Sequence, residues 1–99
     1  MDFEYARRCF REGKRIIDTF KERGLTMPQA YSLMELYARD HPYPELREAV
    51  GIKNLGQFSN NVIMPLRKKR YIERAKIPDN KIKITKEGRY LVERVLSKI

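Results

Sequence analysis

Residues 54–70, NLGQFSNNVIMPLRKKR, hold the side chains with the clearest chemistry. Gln57, Asn60, Met64 and Arg67 recur at three- and four-residue steps, which places them on one side of a helix. Leu55, Phe58, Val62 and Leu66 recur the same way on the other side. A carboxamide pairs with the edge of adenine in a major groove, and a guanidinium pairs with guanine. Gln57, Asn60 and Arg67 are therefore candidate base contacts, with Ser59 and Asn61 beside them as groove or edge contacts. A merely solvated helix face is the competing reading. It fits less well, because such faces favour Glu and Lys over the poor helix former Asn, here in tandem. Lys53, Lys68, Lys69, Arg70, Arg74, Lys76, Lys81 and Lys83 surround this stretch as candidate phosphate contacts. Cations of that kind supply affinity and orientation but little sequence information. Pro65 should kink the helix, so base contacts are expected before it and phosphate contacts after it, with Arg67 on the boundary.

The charge distribution supports the same face. The 99 residues carry a net charge of +9, and residues 1–50 contribute none of it, with nine Lys/Arg against nine Asp/Glu. Residues 51–99 carry thirteen Lys/Arg and four Asp/Glu, so the whole excess lies in the half that holds the amides. Such asymmetry implies a polyanionic partner. Enzymatic patterns are missing: there is no Ser-His-Asp set, paired carboxylates, glycine-rich loop or zinc spacing, and no cofactor or metal is expected. His41 stands alone. Tyr31, Tyr37 and Tyr43 suit core packing better than a small-molecule pocket, so an effector has no specific support. No apolar run reaches membrane-spanning length, and MDFEYARRCF has no signal-peptide pattern, so an intracellular, cytoplasmic protein is expected.

The surrounding elements can be read in chain order. Residues 2–23 form a first helix with a heptad-like stripe of Phe3, Ala6, Phe10, Gly13, Ile17 and Phe20, ending at Gly24. The stripe suits either a dimer seam or the chain's own core. Cys9, the single cysteine, sits on this helix. An inert thiol is the favoured reading, with an inter-chain disulfide or redox sensor as the alternative. Thr26 and Gln29 form a capping box, with Pro28 in the first turn of a second helix that buries Ala30, Leu33, Leu36 and Tyr37. His41-Pro42-Tyr43-Pro44 breaks that helix, with room for a very short strand. Glu45 to Val50 is a third helix with Leu46, Ala49 and Val50 inward, stopped by Gly51. Asn54 caps the next, amide-bearing helix. The period then changes to two: a strand from Tyr71, a turn at Pro78-Asp79-Asn80 and a returning strand with Ile82 and Ile84 make a hairpin. Thr85 caps a last helix whose apolar face, Leu91, Val92, Val95, Leu96 and Ile99, exceeds what so small a core needs.

Helix, glycine turn, helix and basic hairpin in this order make a winged helix. The run resembles the MarR-like winged-helix transcription regulators. The matching pieces are Leu25-Thr26, the segment Leu46–Ala49–Gly51–Ile52, then Leu66-Arg67-Lys68-Lys69-Arg70-Tyr71-Ile72-Glu73-Arg74, and Ile84-Thr85-Lys86-Glu87-Gly88-Arg89. The likeness covers about residues 25–90. Arg70 stands where the family usually has glycine, and the wing turn is short and lacks the family's acidic-Arg motif. In compactness the chain is similar to small archaeal and viral winged-helix proteins. The resemblance implies a homodimer on a near-palindromic DNA site.

The expectations are therefore a mainly α (α+β) fold with a small β-hairpin: one winged helix-turn-helix domain over residues 1–99. Residues 1–24 and 86–99 are its expected dimerisation helices and 25–85 its helix-turn-helix and wing. The recognition helix 54–70 lies in the major groove of double-stranded DNA, and the wing 71–85 on the backbone or minor groove. The dimer interface comprises Phe3, Ala6, Phe10, Ile17, Phe20, Leu91, Val92, Val95 and Ile99. A non-specific architectural DNA- or RNA-binding winged helix and a protein-interaction module are the alternatives.

Overall fold

The computed structural model describes residues 2–74 and 81–98. The expected turn at Pro78-Asp79-Asn80, Lys76 and Ile99 lie outside them. Helix α1 spans Phe3–Glu22, and the Asp2 carboxylate accepts the Glu4 backbone N–H at 3.0 Å, so the first turn is capped. Helix α2 spans Met27–Ala38 and opens on the expected capping box between Thr26 and Gln29. Strand β1, His41–Pro42, follows, then α3, Tyr43–Val50. The third helix starts two residues earlier than expected. Pro44 falls in its first turn, where a missing N–H has no intrahelical partner to lose, so the proline opens the helix rather than delaying it. Gly51, at φ 84°, ends it in the left-handed conformation.

Three short pieces then run on as one helix over residues 55–68: α4, Leu55–Phe58, a π-helical turn, Ser59–Ile63, and α5, Met64–Lys68. Strands β2, Ile72–Arg74, and β3, Lys81–Ile84, precede the final helix α6, Lys86–Ser97. The sheet is antiparallel in the order β1-β3-β2, with His41 opposite Ile82 and Ile72 opposite Ile84. The wing is thus three-stranded, β1 tying it back to the helical core.

Phe20, Leu33, Leu36, Leu46, Phe58, Leu66, Ile82 and Val92 lie at the centre of the core. Three expectations change. Leu91, Val92 and Val95 are buried within the chain, because α6 packs on α1, α2 and β3. They are core residues rather than a spare dimer face, and Phe20 is likewise buried. Ala49 is exposed, since on the eight-residue α3 only Leu46 is fully buried and Val50 is half-buried. Leu55 is exposed as well. Phe58, Val62 and Leu66 follow one another at four-residue steps, which drift around an ordinary 3.6-residue turn. The wider π turn cancels the drift and aligns those three, leaving Leu55 off the line at the helix entrance.

The last helix sits close to the wing because of one glycine. A Cβ on Gly88 would lie 2.3 Å from the Tyr71 carbonyl oxygen. Thr85 stitches the same junction: its N–H donates to the Tyr71 carbonyl at 2.9 Å and its hydroxyl to that of Arg70 at 2.6 Å.

Candidate nucleic-acid interface

The 55–68 helix is fixed from three sides. Asn54 caps it, its Oδ1 accepting the Gln57 N–H at 3.1 Å. Pro65 has no N–H to return to the carbonyl of Asn61, four residues back, and its ring crowds that oxygen. The π turn contains this carbonyl, and Met64 N–H reaches back five residues to Ser59. The Asn61 carbonyl accepts from Gln29 Nε2 at 2.8 Å. Gln29 is buried, and its Oε1 accepts the Thr26 N–H at 3.0 Å. One carboxamide thus caps α2 and clamps the next helix at its irregular turn. On the other side the Tyr43 hydroxyl hydrogen-bonds the Ser59 hydroxyl, and its ring meets Phe58 edge-on at 5.3 Å.

This scaffold sorts the candidate readers. Gln57, Asn60 and Asn61 are exposed and line one concave surface beside the start of α2. Asn60 also lines a second with Met64, Pro65, Lys68 and Lys69. Arg67 is exposed but lines neither, because side chains beyond the π turn are rotated relative to those before it. Lys68 takes the place on this face that a plain α-helix would give Arg67. Ser59 is half-buried and its hydroxyl is engaged with Tyr43, so it helps position the helix from within.

The cations divide similarly. Lys53, Lys68, Arg70, Lys81 and Lys83 are exposed. Arg47 anchors the entrance by donating to the Lys53 carbonyl at 2.8 Å. Lys69 instead donates to the Gly24 carbonyl at 2.9 Å, neutralising the end of α1. The Arg74 guanidinium lies over the Tyr43 ring, 5.1 Å from its centroid. Lys83 sits opposite Glu73 across the strands. Arg70 adopts φ 64°, the left-handed region, where the sequence resemblance placed a glycine. Gln29, Arg47 and Tyr43 are the structural residues the sequence reading missed as supports of this face. Only Gln29 left a signal, its capping box, and that pointed to its own helix.

Away from this face, His41 is buried. Its Nδ1 lies 3.2 Å from Glu45 Oε1 and its Nε2 3.6 Å from Glu35 Oε2. The Arg39 guanidinium bonded to Glu45 holds that carboxyl below the usual carboxylate range, with His41 a lesser contributor. No group of three or more metal-binding side chains occurs among the described residues. Cys9 is exposed on α1, in an apolar face shared by Tyr5, Ala6, Phe10, Gly13 and Ile17 that belongs to α1 alone. Among the described residues no helix is long and apolar enough to cross a membrane.

A helix-turn-helix followed by a short antiparallel wing defines a winged helix. No family model and no curated protein matches the chain. Two solved structures of MepR do match it in backbone. MepR is a transcription regulator of the Staphylococcus aureus multidrug efflux pump MepA, and the second structure is a point mutant from a multidrug-resistant clinical isolate. The TM-scores are 0.71 and 0.72 at 21% identity, over 99% of this chain and 76% of MepR. The chain therefore shares a winged-helix fold with MepR, the fold that the motifs between Leu25 and Arg89 led us to expect.

Proposed function

We propose that this protein is a double-stranded DNA-binding transcription regulator that acts as a homodimer and reads sequence through the 55–68 helix. It works by binding, not catalysis, inside the cell. The observation that carries the reading is the exposed amide set Gln57, Asn60 and Asn61, held rigid from behind and rimmed by Lys53, Lys68 and Arg70. The fold likeness to MepR, itself a transcription regulator, supports it. Lys81 and Lys83 on the wing contact backbone phosphate, as does Lys76. Arg67 is a phosphate contact in this arrangement rather than a base reader.

The dimer reading now rests on α1. Phe3 and Phe10 are exposed at 74% and 81%, on the same helix as the half-buried Ala6 and Ile17. Apolar surface of this kind favours a second chain as cover. The α1 helices of two copies bury these residues against each other, and α6 contributes its exposed Leu96. Sedimentation at micromolar concentration gives a dimer, and Phe10→Glu shifts it to monomer; a monomeric parent chain removes the dimer from the account. For DNA, the seven phosphate contacts, Lys53, Arg67, Lys68, Arg70, Lys76, Lys81 and Lys83, predict a slope of log K against log salt of about −6 per chain. Salt-independent binding to duplexes, or none, contradicts the DNA reading.

A further inference from the structure

Met64 is exposed at 58% on a helix face that it shares with Asn60, Pro65, Lys68 and Lys69. It stands apart from the buried line of Phe58, Val62 and Leu66 and shares a concave surface with Asn60 and Lys68. A large apolar side chain held open in such company exposes surface that a ligand can cover. The charge around it selects the occupant: Lys68 beside it and Arg70 beyond it attract a polyanion, and Asn60 offers both an amide donor and acceptor. Apolar groups occur on the major-groove edge of only one base, as the C5 methyl of thymine.

We infer that Met64 is a specificity-determining residue that contacts a thymine methyl next to the base gripped by Asn60. The inference rests on the DNA-binding reading and names part of the sequence that face accepts. Asn60 lies four residues, about one helical turn, before Met64. An A·T pair presents adenine N7 and N6 alongside the thymine methyl, so an amide and an apolar tip one turn apart are complementary to A·T pairs at neighbouring steps. The unbranched thioether suits this role, since it adapts its rotamer to the methyl and is polarisable. A lysine or glutamine at position 64 would gain nothing from the methyl. The same contact separates DNA from RNA, because uracil lacks that carbon.

The test uses the full chain and a duplex selected by it from a random library. Each thymine is replaced in turn by deoxyuridine, which keeps base pairing and every hydrogen bond and removes only the methyl. At one thymine in each copy of the recognised sequence, substitution weakens binding about four-fold, the worth of one buried carbon. Met64→Ala binds the thymine and uracil duplexes equally, and Met64→Leu keeps the dependence. Because Met64 is exposed, both variants melt with the parent. Indifference of the parent chain to every methyl, or the same methyl dependence in Met64→Ala, overturns the inference while leaving DNA binding intact. Failure of the parent chain to bind any duplex overturns the DNA reading and the inference with it.

Discussion

The clamp between Gln29 and the Asn61 carbonyl can be dissected quantitatively. Gln29→Leu keeps the volume and removes both polar atoms. The Asn61 carbonyl then loses a 2.8 Å donor and the Thr26 N–H loses its 3.0 Å acceptor. A buried group left unsatisfied costs about 1–3 kcal/mol, and half a capping box adds about 0.5 kcal/mol, for a loss of roughly 2 kcal/mol. In a chain of this size that lowers Tm by about 8–16 °C. The cause is specific, because the carbonyl needs Gln29 where Pro65 supplies no N–H. Pro65→Ala restores that N–H. In the Pro65→Ala background Gln29→Leu therefore costs less, by about 1 kcal/mol, a coupling measurable in a double-mutant cycle. Urea unfolding followed by far-ultraviolet circular dichroism at constant m-value is the assay. Additivity of the two substitutions to within about 0.3 kcal/mol would refute the reasoning, since a carbonyl indifferent to residue 65 is not being compensated by Gln29.

Three further outcomes follow from the geometry. Gly88→Ala drives its Cβ into the Tyr71 carbonyl at 2.3 Å, so thermal unfolding should show a loss of about 3 kcal/mol, whereas Gly13→Ala, with nothing within 4 Å, should stabilise α1 slightly. Arg70→Gly relieves the left-handed strain at φ 64°, stabilising the fold by about 1 kcal/mol in chemical denaturation, while it weakens duplex binding and makes the salt slope shallower by about one. The lowered Glu45 carboxyl contributes stability that is present above the unfolded glutamate value and is lost as pH falls through its lower folded value. Arg39→Gln, which removes the main cause, should flatten that part of an acid unfolding profile; an unchanged profile rules out the pairing.

Local signals in the sequence carried most of the fold. Thr26, Asn54 and Thr85 each accept the backbone N–H that their cap positions imply, and Gly51 takes the positive φ that a helix stop needs. What was not legible depends on contacts distant in sequence. The apolar face of α6 looked surplus because a linear reading could not show that α1, α2 and β3 all pack against it. Strict 3.6-residue periodicity put Arg67 beside Asn60, and the π turn ahead of Pro65 shifts that register. Ser59 read as an exposed polar residue because its partner, Tyr43, lies sixteen residues away. His41 read as solitary although its partners are close in sequence, because Glu35 and Glu45 come from two different helices that only the fold brings around it.

The central claim is that Gln57, Asn60 and Asn61 read bases while the surrounding lysines hold phosphate. Selection from a random duplex library, sequenced for the parent chain, Asn60→Ala and Lys81→Ala in parallel, tests it most directly. The account predicts one enriched motif for the parent chain, loss of preference at an adenine for Asn60→Ala, and the unchanged motif at lower affinity for Lys81→Ala. An absence of any enriched motif, or equal relaxation by both substitutions, would contradict it.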